Sequence, residues 1–212
     1  TARPAKRTAM GRFAHEAAVC GIPVVGKPLA FYMGCDSRNE YIYKFVTAAN
    51  WDAADIGGGM AAGNKYLDEG KLYVAKFNST GAGEWIELSI SNPLIKSYAG
   101  AAGFTFTSQA EIYVHTRLAA DAVGATKMDR PEWVTVHPTS GEVYVTLTNN
   151  SGRTTADEAN PRTSNIYGQI VRWRETGGDA AAMTFDWDIF VLAGNPTVPG
   201  NPGTTKAGSS NV

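Results

Sequence analysis

The stretch "EWVTVHPTSGEVYVTLTN" (132–149) alternates apolar and polar residues on both sides of a Pro-Thr-Ser-Gly turn. A period of two with Val, Thr, Tyr and Trp is the pattern of half-buried strands, so this is a strand, a tight return and a second strand. Gly141 can take the positive φ that such a return needs. The same pattern recurs at "EYIYKFVTA" (40–48), "GKLYVAKFN" (70–78) and "GQIVRWRE" (168–175). Further strands are expected at "PLAFYMG" (28–34), "EWIELSI" (84–90) and "FDWDIFVLAG" (185–194), and "NSTGAGE" (78–84) supplies another return. Strand–turn–strand units repeated without a strict period predict a mainly β chain. A β-propeller-like arrangement, here a partial propeller, is favoured over a sandwich.

The totals fit this reading. The chain has 212 residues, with 23 Gly, 9 Tyr and 5 Trp, a supply of turn formers and strand-favouring aromatics. Residues 1–194 are expected to form one domain, and the Pro/Gly/Ser-rich 195–212 to be a tail or a cut connection. Lys plus Arg is 19 against 20 Asp plus Glu, so no basic field exists to hold nucleic acid. No apolar run is long enough for a membrane helix, and residues 1–20 lack a signal-peptide core. Cys20 and Cys35 leave three options open: inert buried thiols, a disulfide, or metal ligation.

One inserted helix is expected near 108–123. Ser108 and Glu111 have capping-box spacing, Gly124 stands where a C′ glycine would, and Arg117 and Asp121 are four apart, as an exposed pair would be. The helix leads into "MDRPEW" (128–133), where Pro131 stops any continuation and Asp129, Arg130 and Glu132 crowd together. Arg130 offers a planar fork for phosphate or carboxylate oxygens, although an Arg–Glu salt bridge alone explains the pair. Asp36, Arg38 and Glu40 stand with Cys35 at a strand junction, either as a polar hairpin tip or as hard-oxygen donors suited to calcium. Glu16, beside His15, reads on its own as a surface carboxylate or a metal ligand. Asn149 and Asn150 close a strand, where side-chain amides cap a turn or orient an oxyanion. Two long connections, 50–70 and 149–167, are of a length that is usually functional or mobile.

Several motifs, taken in order, resemble the PhoX-type alkaline phosphatases. They are "GRFAHEAA", "YMGCDSRNEYIYKFV", "LDEGKLYVAKFN" with "GEWIEL", "RLAADAVGATKMDRPEWVTVHPTSGEVYVTLTNN" and "ANPRTSNIYGQIVRW", within residues 7–194. The resemblance implies a β-propeller with an iron and calcium site, hydrolysis of phosphate monoesters, and export to the periplasm or beyond by the twin-arginine route. By position, Glu16, Glu132 and Asp36 resemble metal ligands. Arg130 resembles the arginine that holds the substrate phosphate, as the catalytic group, and Asn150 is placed with it in substrate binding. Two positions depart from the pattern: Cys35 stands where the family commonly has an acid, and Gln169 where it often has histidine. The family is also much longer, and its iron-ligating cysteine lies upstream of this chain. This chain therefore reads as an internal piece or a shortened relative, expected to bind metal weakly and to hydrolyse monoesters poorly, with open strand edges suited to self-association. Two alternatives stand beside it: a non-catalytic calcium-binding propeller piece that serves as scaffold or assembly module, and another metal-dependent propeller hydrolase such as a lactonase or phosphodiesterase.

Overall fold

A computed structural model describes residues 3–194; the expectation for 195–212 lies outside them. Eleven strands are present among the described residues: β1 (Val19–Cys20), β2 (Pro28–Gly34), β3 (Arg38–Glu40), β4 (Ile42–Asn50), β5 (Gly70–Phe77), β6 (Ala82–Glu87), β7 (Met128–Asp129), β8 (Pro131–Val136), β9 (Val143–Leu147), β10 (Gln169–Glu175) and β11 (Thr184–Leu192). Nine of them make one antiparallel sheet in the order β1-β2-β4-β5-β6-β11-β10-β9-β8, and β3 pairs with β7 separately. The mainly β, propeller-like expectation holds, with the successive strand pairs running on as a continuous sheet.

The sheet curls until its two ends meet. Gly34 closes β2 against the backbone of β8, and a Cβ there would lie 2.6 Å from the Glu132 carbonyl oxygen. Only glycine permits that approach. Ala30, Tyr32, Ile42, Trp85, Val143, Val145, Trp173 and Phe185, from both ends of the sheet, form one core inside the curl. The other face of β2, β4 and β5 presents Met33, Tyr43, Phe45, Leu72 and Val74 to a second core. Short helices cover it: α2 (Pro93–Lys96), α3 (Gln109–Val114) and α4 (Thr116–Ala122). β4 is buried on both faces, which explains its nearly unbroken run of large residues. Lys44, on its inner face, is fully buried against Glu175 at 3.3 Å.

Two expectations need correction. The single helix near 108–123 is two helices, broken at His115 (φ −111, ψ 43). The capping box at Ser108 and Glu111 is present, but the Thr116 hydroxyl bonds back to the Ile112 and Tyr113 carbonyls, and Arg12 N–H takes the Tyr113 carbonyl as well. Back-bonding of this kind bends helices. Arg117 and Asp121 do not pair: Arg117 reaches Glu40 at 3.1 Å, while Asp121 meets Lys127 and accepts from Tyr41. The 50–70 connection holds a helix, α1 (Gly59–Leu67).

Candidate anion and metal site

β3 and β7 pair Arg38 with Asp129 and Glu40 with Met128, which brings the "GCDSRNE" junction against "MDRPEW". Arg130 sits between β7 and β8 with φ +57, in the left-handed region that a non-glycine residue enters only at a cost. Its Nη2 donates to Asp36 Oδ2 at 2.9 Å and lies 3.7 Å from Glu132 Oε1. Glu132 in turn accepts from the Thr148 hydroxyl at 2.9 Å. The three charged side chains are 18–32% exposed, so the cluster opens to solvent from a partly buried seat. Its geometry is an arginine fork held between two carboxylates.

The backbone under this cluster is fixed by a buried polar network that sequence reasoning missed. Asp129 is fully buried and accepts from Arg153 Nε at 2.6 Å and from Asn165 Nδ2 at 3.0 Å. Arg153 also donates to the Lys127 carbonyl at 2.7 Å, joined there by Asn160 at 3.0 Å. Gln169, at the position where histidine was noted as common, accepts from Asn165 and donates to the Ala159 carbonyl. The 149–167 segment is thus pinned to the strand that carries Asp129. The signal available in the sequence was an arginine among Asn, Asp and Thr in a loop, which looks like a solvated turn.

Of the five residues singled out from sequence, the structure brings Asp36, Arg130 and Glu132 together directly. Asn150 is adjacent and fully buried, its Nδ2 donating to Asn39 Oδ1 at 3.0 Å. Glu16 lies nearby through its backbone, since its N–H donates to the Gly34 carbonyl and Asp36 N–H donates to the Ala14 carbonyl. Its side chain, however, is exposed and makes no hydrogen bond or ion pair among the described residues.

Two oxygen atoms at the site are buried without a hydrogen-bond partner: Asp36 Oδ1 and Asn150 Oδ1. A carboxylate oxygen in that condition, beside Glu132, suits a hard cation such as calcium. The thiols do not suit iron. Both cysteines are free; Cys35 is fully buried, its Sγ lies 3.5 Å from Glu40 Oε2 as a donor, and burial pushes its pKa up to about 11, away from the thiolate a metal needs. No group of three or more His, Cys, Asp or Glu among the described residues is placed to hold a metal ion, so the donors present are a partial set.

Comparison with known proteins settles the lineage. The family model "Alkaline phosphatase PhoX" matches residues 1–212. The chain belongs to the PhoX alkaline phosphatase family. No curated protein matches it. Among solved structures it is similar to Pseudomonas fluorescens PhoX in complex with vanadate, a transition state analogue, at 43% identity and a TM-score of 0.79. The alignment covers 93% of this chain and 35% of that one. The PhoX framework is therefore present over the described fold, and this chain spans about a third of the length of that PhoX. Among the described residues, no helix is long and apolar enough to cross a membrane.

Proposed function

We propose that this chain carries the oxyanion-recognising part of a phosphatase that hydrolyses phosphate monoesters. The observation that carries the reading is Arg130, set in a strained backbone between Asp36 and Glu132 on a PhoX framework. A guanidinium so placed donates two N–H groups in one plane, the match for two oxygens of a tetrahedral phosphoryl group. In the transition state it offsets charge on the equatorial oxygens. Asp36 and Glu132 fix its direction before the anion arrives, and the Thr148 hydroxyl fixes Glu132. Asn150, fully buried, is the residue that the resemblance places with Arg130 in substrate binding.

Asp36 Oδ1 and Glu132 are the side chains on hand for a calcium ion, and Glu16 is the further carboxylate that the resemblance names. Cations of this class, when bound, polarise the phosphoryl oxygens. The donor set is partial, and the iron expected from the resemblance finds no thiolate here, so turnover by these 212 residues alone is expected to be low. A periplasmic or extracellular setting, where phosphate esters are scavenged, fits the family.

The test is a substrate panel with calcium and iron supplied. Slow hydrolysis of phenyl phosphate, inhibited by orthovanadate, absent with a diester or a lactone and abolished in Arg130→Ala, supports the reading. Equal rates in wild type and Arg130→Ala, or preference for diester or lactone, would contradict it.

A further inference from the structure

A cavity of about 560 Å³ lies between the 6–18 segment and Val114, the last residue of α3. Asp36, Arg130 and Glu132 take no part in its lining. Its walls are fixed by local contacts. Met10 N–H donates to the Arg7 carbonyl, Gly11 N–H to the Thr8 carbonyl, and Arg12 N–H to the Tyr113 carbonyl at 2.8 Å. His15 Nε2 lies 3.0 Å from the Gly11 carbonyl oxygen, and the His15 ring stacks on Phe13 at 3.6 Å between centroids. The space is therefore built into the fold.

The lining divides by chemistry. Met10, Phe13, Ala18 and Val114 supply apolar surface, and Ala18 and Val114 are exposed. Lys6, Arg7 and Arg12 also line the space, and no Asp or Glu does. Arg7 is already paired with Asp68 at 2.6 Å. The side chains of Lys6 and Arg12 are exposed and make no hydrogen bond or ion pair among the described residues. Two uncompensated cations beside open apolar surface restrict the occupant. A cationic ligand is repelled. A small hydrophilic anion leaves the apolar wall in water, and a neutral apolar ligand leaves both charges unmatched. An anion on an apolar body satisfies both: the head pairs with the two cations and the body covers the wall.

We infer that this cavity binds an amphipathic anion, a carboxylate or phosphate head on an alkyl chain of medium length. Lys6 and Arg12 hold the head, and the wall from Met10 to Val114 takes the chain. The inference is independent of the phosphoryl site at Arg130 and stands if that reading fails.

The experiment is an NMR titration of the isotope-labelled chain with decanoate, octyl phosphate, decyltrimethylammonium and acetate, each amphiphile below its micelle concentration. Decanoate and octyl phosphate are expected to shift the amides of Gly11, Phe13, Ala18 and Val114; shifts from only one of them support the site and name its preferred head. Acetate and decyltrimethylammonium should leave those amides in place. Arg12→Gln should lower the affinity for the bound anion about fivefold, the worth of a partly screened charge-assisted contact. Arg12→Lys, which keeps the charge, should recover most of it. Val114→Glu, at an exposed wall position, should abolish binding with the rest of the spectrum unchanged. Equal shifts from decyltrimethylammonium, or wild-type affinity in Lys6→Gln combined with Arg12→Gln, would overturn the site. So would the absence of shifts at these amides with both anions, whatever happens around Arg130.

Discussion

Arg130 holds a backbone conformation that its side chain does not favour, and its position explains why. The left-handed turn directs the guanidinium at Asp36 while the preceding residue, Asp129, stays buried. A non-glycine residue pays about 1–2 kcal/mol for that conformation. Arg130→Gly is therefore expected to be more stable than Arg130→Ala by about 1 kcal/mol in chemical denaturation, with neither variant binding oxyanion. Equal stability of the two would show that φ at this position is not held in the folded protein. At this scale the sequence was partly legible. Asp36, Arg130 and Glu132 were readable as candidate site residues, and they do meet. Glu16 stands near them in backbone only, because sequence spacing does not give the direction of a side chain that follows a bend. Arg153 was illegible: its partner Asp129 is 24 residues away, and only the folded register brings them together.

Strands were the readable elements. The "PLAFYMG" stretch is a strand over its full length, Gly141 has the positive φ expected of its return, and Gly81 takes a positive φ in the other return. Period-two patterning fixes such segments because one face is buried at every second residue. The helix was readable at its start, through the Ser108 cap, but not at its break, because the break depends on Arg12 docking from a hundred residues upstream. The 149–167 connection gives the sharpest case. Its length marked it as a functional or mobile connection, and in the structure Arg153, Asn160 and Asn165 fasten it to Lys127 and Asp129. Arg153→Met leaves the fully buried Asp129 carboxylate without its cationic partner. The expected cost is about 3–5 kcal/mol, with faster amide hydrogen exchange across 150–165. Unchanged exchange there would mean that the loop is held by other contacts.

Across the whole molecule, the curled sheet encloses a buried ion pair far from the anion site. Glu175 accepts from Lys44, from the Tyr32 hydroxyl at 2.9 Å and from Trp85 Nε1 at 3.1 Å, and Lys44 also donates to the Ala180 and Ala182 carbonyls. Burial pushes Lys44 down to about 8 and Glu175 up, the direction that opposes charge on either partner. Such a pair specifies the packing more than it stabilises it. Glu175→Gln, which strands the Lys44 charge, is expected to cost about 3–5 kcal/mol, a fall in Tm on the order of 10 °C for a chain of this size. Lys44→Met with Glu175→Leu together should recover most of that loss. A double variant no more stable than Glu175→Gln would show that the pair is a net stabiliser.

The arginine fork is the claim on which the functional account stands, and calorimetric titration with orthovanadate measures it without requiring turnover. One vanadate should bind per wild-type chain, and Arg130→Ala should bind at least about tenfold more weakly, the loss expected for a charge-assisted hydrogen-bonded contact. The same affinity in both proteins, or no binding to the wild type, would contradict the account.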